Sequence, residues 1–425
     1  MEEPISAEAA ASQQWPSAPV YDLEQSPDSS ISLDANEFED EVKGNFWRSA
    51  RWCMDGSATL STTEDRTIRI HAVNDDSSFE TRSFHQPDAI HSTLWYPSAT
   101  LSTPETFCFI ASIRDTPVRL IDGIDGRVRA SYPIIDHRER FIAPHSLAFN
   151  HTGTKLYCGC ENSIEVFDIS SPGYDQGERL KLIYAKKEKG GQKGIISALS
   201  FCPDYSGTFA AGTYSSSSSV SLYSEDTGFT PLAHVEGLVG GGVTQIGWHP
   251  LNPTIMFISS RRSSSIQIYD TRDLSAPLSS FDRNNSTNQR IGFDVDPWGR
   301  WLSSGDETGT VRIWDISTMD TKAIFKEKLH QDTVGSVQFH PFQPLLLTCS
   351  GSRKHLQNEY EDDDDESSSS EFEGESEDES GSEDRATSGV KKGYPRPFDA
   401  TLRMWSMKGQ AGQDTTNNDS SIAPA

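Results

Sequence analysis

The residues best placed to do chemistry in this chain are short basic and amide clusters set in long neutral stretches. Lys186, Lys187, Lys189 and Lys193 share one glycine-bearing segment, Arg261 and Arg262 form a pair, and Asn288, Gln289 and Arg290 form a polar run. Lysine and arginine at this spacing suit contact with phosphate oxygens, and amides suit hydrogen bonding to bases or backbone. The same groups also fit ordinary solvated loops, and nothing in the charge pattern names a reader of one nucleic-acid sequence. Catalytic constellations are weaker. Eleven His residues and many Ser and Asp are present. Yet no Gly-x-Ser-x-Gly elbow, no His-Glu-x-x-His pair and no Gly-Lys-Ser/Thr phosphate loop occurs, and no cofactor motif appears. Gly237 to Gly242 reads as a glycine-rich linker with no following helix to hold a phosphate. Cys158-Gly159-Cys160 is the one close cysteine pair, without a second pair or His nearby, so it reads as two small core residues and no metal site is expected.

The elements that position these groups come from a repeat. An aromatic residue or Val stands two places before Pro, or before a residue in its place, in seven copies: Trp52-Cys53-Met54, Trp95-Tyr96-Pro97, Phe149-Asn150-His151, Phe201-Cys202-Pro203, Trp248-His249-Pro250, Val295-Asp296-Pro297 and Phe339-His340-Pro341. Successive first residues lie 43, 54, 52, 47, 47 and 44 apart. After each copy come a turn, a strand of small residues, a second turn and an alternating strand such as Val311-Arg312-Ile313-Trp314-Asp315 or Leu402-Arg403-Met404-Trp405. A period in the forties built from short strands predicts an all-β, seven-bladed β-propeller with one blade per repeat. Ser and Gly fill the second strand, which suits a place nearest the axis. Asp65, Asp115 and Asp399 recur in the turn before the last repeat strand, and with His249, His340, Trp314, Asp315 and Trp405 they read as blade-stabilising rather than catalytic groups.

Trp314 and Trp405 lie 91 residues apart, room for another blade. Within that stretch, roughly Ser352 to Phe398 is mostly Asp, Glu and Ser and holds no apolar run, so it reads as an insertion in the seventh blade. The expected organisation is an acidic tail over 1–42, a propeller over 43–351 and 399–408, a disordered acidic insertion over 352–398, and a C-terminal tail over 409–425. The seventh blade lacks an outer strand, and Ser30-Ile31-Ser32-Leu33 or Pro19-Val20-Tyr21-Asp22-Leu23 is placed to supply it and remove a free edge. Formal net charge is −26, but residues 1–42 carry 11 acids and no base, and 359–385 carry 15 acids and one Arg. Removing −11 and −14 leaves −1 for the rest, so the propeller body is nearly neutral. Ser376, Ser380 and Ser382 sit among acids and suit an acidophilic kinase, and the insertion itself suits charge screening, docking of basic partner tails, or plain solvation. No leader sequence and no apolar run long enough to span a bilayer is seen, so a soluble intracellular monomer is expected, without a membrane partner.

Several stretches are more specific than a generic repeat. They include Trp52-Cys53-Met54-Asp55-Gly56-Ser57, Pro144-His145-Ser146-Leu147-Ala148-Phe149, Ala185-Lys186-Lys187 with Lys193-Gly194-Ile195-Ile196-Ser197, and Gly242-Val243-Thr244-Gln245. Tyr269-Asp270-Thr271-Arg272, Thr287-Asn288-Gln289-Arg290-Ile291 and Leu345-Leu346-Leu347-Thr348-Cys349-Ser350-Gly351 complete the set. On these, over about residues 44–406, the chain resembles the WD-repeat telomerase Cajal-body protein family. The short acidic N-terminal region and the serine runs mark a distant branch. The resemblance implies a non-enzymatic WD40 scaffold that binds box H/ACA-type small Cajal-body RNAs, and telomerase RNA where that carries the matching element. It implies work beside dyskerin-type proteins, folding by the cytosolic ring chaperonin, and a place in the nucleus with a cytoplasmic fraction. Small nuclear RNA is an alternative cargo. On this reading Lys186, Lys187, Arg261, Arg262 and Arg290 touch phosphates, and Trp95 or Tyr96 stacks on a base, although Trp95 holds the buried motif position. The competing reading is a protein–protein scaffold without RNA contact, such as a splicing adaptor or a ubiquitin-ligase substrate receptor.

Overall fold

Alternation of apolar and polar residues with period two makes each repeat a sheet with two packable faces, and stacking seven such sheets around an axis buries both. The computed structural model describes residues 17–38, 44–74, 78–182, 192–215, 218–227, 230–353 and 397–408. It contains seven four-stranded antiparallel sheets arranged as the blades of a propeller. The first strands of blades one to seven are Trp47–Trp52, Ile90–Trp95, Ser146–Phe149, Ile195–Phe201, Val243–His249, Phe293–Val295 and Val334–Phe339.

These first strands, which carry the repeated motif, lie innermost and hold their neighbours directly. Ser146 donates its hydroxyl to the carbonyl of Ile196 (2.7 Å), Ser197 to Val243 (2.6 Å), Ser336 to Ala50 (2.9 Å), and Gln245 donates its amide to Phe293 (2.8 Å). The expectation that the Ser/Gly-rich second strand is nearest the axis is therefore corrected. That strand is sandwiched one layer out, where small residues let adjacent blades approach. At Gly159 an added Cβ would lie 2.7 Å from the Ile196 carbonyl of the next blade.

The ring closes on the N-terminal segment. In the seventh blade Val334–Phe339, Leu345–Ser350 and Thr401–Ser406 are followed outward by Asp28–Asp34. Leu33 faces Leu402 and Ser32 faces Arg403 in that pairing. Of the two candidate segments, the one containing Ser30 to Leu33 makes the strand. Tyr21 nevertheless packs on Phe339, with ring centroids 5.3 Å apart. Residues 17–38 are thus part of the ring rather than of a disordered tail. Residues 1–16, 39–43, most of the acidic insertion and 409–425 lie outside the described residues.

Candidate anion-binding channel mouth

Antiparallel order puts the links between blades, and the turns between second and third strands, on one face of the disc. On that face a β-bulge recurs near the start of the innermost strand. The pairing skips Arg48 in blade one, His91 in blade two, Ser197 in blade four, Thr244 in blade five and Gly335 in blade seven. Each of these stands four residues before the aromatic of its repeat, as does His145 in blade three. A bulge leaves one residue unpaired and re-aims its side chain. Here the repetition builds a ring of re-aimed positions around the mouth of the central channel.

Positive charge converges there. Arg48 donates to the Ile90 carbonyl (3.1 Å), Arg290 to the Ser197 carbonyl (3.2 Å) and Arg261 to the Asn288 carbonyl (2.6 Å). Arg261 also lies over the Tyr214 ring, 5.1 Å from its centroid. The glycine linker holds this turn in place. Gly241 donates its N–H to Arg261 (2.7 Å), Arg261 donates to the Gly242 carbonyl (2.8 Å), and Gly240 sits at a φ of +109°, which favours glycine. Glu64 pairs with Arg48 and Arg353. Among the described residues no carboxylate pairs with Arg261 or Arg290. Burial and the neighbouring guanidinium groups of Arg261, Arg48 and Arg51 push Arg290 down to about 10. The His91 and His145 rings stack at 4.7 Å, 11° from parallel. Burial, then His91, Arg290 and Arg261, lowers His145 to about 4, so it is neutral at pH 7. Cations brought together with so little acid form a site whose missing partner is an anion.

The residues singled out from sequence divide as follows. Arg261, Asn288, Gln289 and Arg290 meet at the mouth, where Gln289 donates its amide to the Gly351 carbonyl of blade seven (2.7 Å). Arg262 is exposed beside them and its N–H reaches Thr287 (3.2 Å). Lys193 is exposed just before the fourth blade, on the same face. Lys186, Lys187 and Lys189, and Ser376, Ser380 and Ser382, lie outside the described residues. Trp95 is 8% exposed and donates its indole N–H to Arg51, so it is a core residue, and Tyr96 is half-buried edge-on to Phe149. Sequence reasoning missed Arg48, His91 and His145. Their shared offset from the motif aromatic is the signal that finds them.

The blade-stabilising set also separates. Asp399 accepts from Gln331 N–H (2.9 Å), the Thr401 hydroxyl (2.5 Å) and His330 Nδ1 (3.2 Å), while His330 Nε2 meets Thr348, which accepts the Trp405 indole N–H (2.8 Å). Asp65 accepts from Thr67 N–H and pairs with Arg69 (2.7 Å). Asp306, not anticipated, does the same in blade six through Thr308, Thr310 and Arg312. Asp115 departs from the pattern. It is exposed at a φ of 55°, and its carboxylate accepts no hydrogen bond among the described residues. His249 and His340 accept N–H groups of the following turn at Nδ1, from Asn252 (3.0 Å) and Gln343 (3.0 Å). Trp314 is buried, and Asp315 accepts from Ser317 N–H (2.9 Å) and Arg300 (3.3 Å). All six cysteines are buried free thiols, and burial pushes Cys160 up to about 12. Among the described residues no cluster of His, Cys, Asp and Glu could hold a metal, and no helix is long and apolar enough to cross a membrane.

Residues 277–315 match the family model described as WD domain, G-beta repeat. The human Telomerase Cajal body protein 1 is 32% identical over 366 residues, covering 83% of this chain and 65% of that protein. Its counterpart from Mesocricetus auratus is 33% identical over 325 residues, covering 73% and 59%. A Schizosaccharomyces pombe protein named Guanine nucleotide-binding protein negative regulator 1 is 31% identical over 340 residues, covering 75% of this chain and 83% of its own length. The chain belongs to the telomerase Cajal body protein family. It spans about three-fifths of the mammalian family members it matches.

Proposed function

We propose that this chain is a non-enzymatic WD40 scaffold that binds small RNA at the basic channel mouth and directs the resulting particle to a nuclear body. The observation that carries this reading is the convergence of Arg48, Arg261 and Arg290, two of them without a carboxylate partner among the described residues. The cargo we favour is box H/ACA-type small Cajal-body RNA, with telomerase RNA as one possible member, in company with dyskerin-type proteins. The names of the mammalian relatives support the Cajal-body destination. Arginine forks suit phosphate oxygens, and the stacked neutral His91–His145 pair offers a flat surface to a base.

A protein-only scaffold is the second reading, favoured by the fission-yeast relative, whose name refers to a guanine nucleotide-binding protein. Crosslinking the full chain to RNA in its own cells, followed by sequencing, separates the two. Enrichment of small nuclear or H/ACA-type RNA supports the first. Its absence above background supports the second.

A further inference from the structure

Below the mouth, the same offset arithmetic defines a second ring one residue before each motif aromatic. It brings Arg51 of blade one, Gln338 of blade seven and Asp294 of blade six to one level of the channel, where all three line a cavity of about 510 Å³. Three consecutive blades thus present a donor, an amide and an acceptor side by side. Arg51 is open to the channel, and its guanidinium has no hydrogen bond or ion pair among the described residues. Its electrostatic neighbour Asp294 stands too far away to form an ion pair with it, although each feels the other's charge. Asp294 takes the Phe339 N–H (2.8 Å) and a second backbone N–H, from Val295, and a carboxylate with about four lone-pair sites still has room for further donors. Gln338 spends one amide N–H on the Val337 carbonyl (3.1 Å) and keeps its second N–H and its oxygen. Across the channel the same level carries Leu94, Ala148 and Ser200.

We propose that this waist is a pocket for a single unstacked guanine base, with Asp294 accepting from N1–H and N2–H and Arg51 donating to O6 and N7. Guanine is the base whose two edges offer adjacent donors to a carboxylate and adjacent acceptors to a guanidinium, whereas cytosine and uracil offer the carboxylate one donor. The level lies three residues below the mouth, about 10 Å along a strand. A nucleotide whose phosphate is held by Arg48 or Arg290 reaches it. The pocket deepens the RNA-binding reading and rests on it for the arrival of the base on a strand. No residue of the waist is one of the phosphate-binding residues assigned above.

The test uses the full chain and two kinds of probe. In titration calorimetry guanosine binds, and adenosine, cytidine and uridine bind at least about tenfold more weakly. Arg51→Gln and Asp294→Asn each remove guanosine binding while thermal melting stays cooperative. An oligouridine carrying one guanine binds about tenfold tighter than oligouridine alone, and both variants erase that ratio while keeping the salt-dependent binding that the mouth supplies. Absence of guanosine binding, or an unchanged preference in Arg51→Gln, overturns the pocket. Salt-dependent RNA binding without base preference also overturns it and leaves the RNA reading standing. Guanosine binding without oligonucleotide binding keeps the pocket and removes the RNA reading.

Discussion

Replacing Asp399 with Ala removes the centre of the network that ties the seventh blade together after the long insertion. Its side chain is 3% exposed and its carboxylate collects Gln331 N–H, the Thr401 and Ser350 hydroxyls and His330 Nδ1, with Arg403 at 3.6 Å. Burial lowers His330, which is therefore neutral near pH 7 and donates to an ionised Asp399. Burial alone would raise Asp399, but the bonds from His330, Thr401 and Gln331 outweigh it and hold the carboxyl well below its ordinary range. Removing one member of a buried charged network costs about 3–5 kcal/mol. In a ring of this size each kcal/mol moves the melting midpoint by roughly 1.5 °C, so Asp399→Ala lowers it by about 4.5–7.5 °C. The pH dependence has a definite sign. A group with a depressed folded-state pKa adds stability above its unfolded value near 4, and that stability drains away as pH falls toward the folded value. Melting curves of both proteins at pH 7 and pH 3 provide the assay, and the gap between them narrows at pH 3. Equal midpoints at pH 7, or a gap as large at pH 3, would refute the reasoning.

Further outcomes follow from the ring and its mouth. Deleting residues 1–34 strips the outer strand and the Tyr21, Ile31 and Leu33 contacts, worth roughly 4 kcal/mol, and exposes the edge of Thr401–Ser406, so light scattering shows self-association alongside a lower midpoint. Arg261→Ala weakens single-stranded RNA binding across all sequences and reduces the slope of log affinity against log salt by about 0.7, read by fluorescence anisotropy. Deleting residues 356–390 raises RNA affinity at low salt if the acidic insertion screens the mouth, and unchanged RNA and partner binding would leave it a solvating loop.

The fold was legible because a propeller repeats its own motif. Motif spacing pointed to seven blades, and the stretch dominated by Asp, Glu and Ser between Ser352 and Phe398, with no apolar run to make strands, read as an insertion. The closing strand was legible as a choice between two segments, since edge pairing is decided by register and not by composition. The mouth was half legible. Arg261, Asn288, Gln289 and Arg290 announce themselves as consecutive polar residues in turns. Arg48, His91 and His145 are single residues beside apolar strands, and at Arg48 and His91 a bulge that sequence does not display turns the side chain toward the channel. Asp306 escaped notice because its arginine follows at six residues rather than the four that separate Asp65 from Arg69 and Asp399 from Arg403. Asp115 shares their place in the sequence, but its turn takes a left-handed conformation that leaves it in solvent.

The most direct test of the account is to crosslink the full chain to RNA in its own cells and identify both the RNA and the crosslinked peptides. The account predicts box H/ACA-type small RNAs joined to the peptides that carry Arg48, Arg261 and Arg290, with the yield falling in an Arg261→Ala, Arg290→Ala double variant that still melts cooperatively. Recovery of no small RNA above background, or crosslinks confined to the opposite face of the disc, would contradict it.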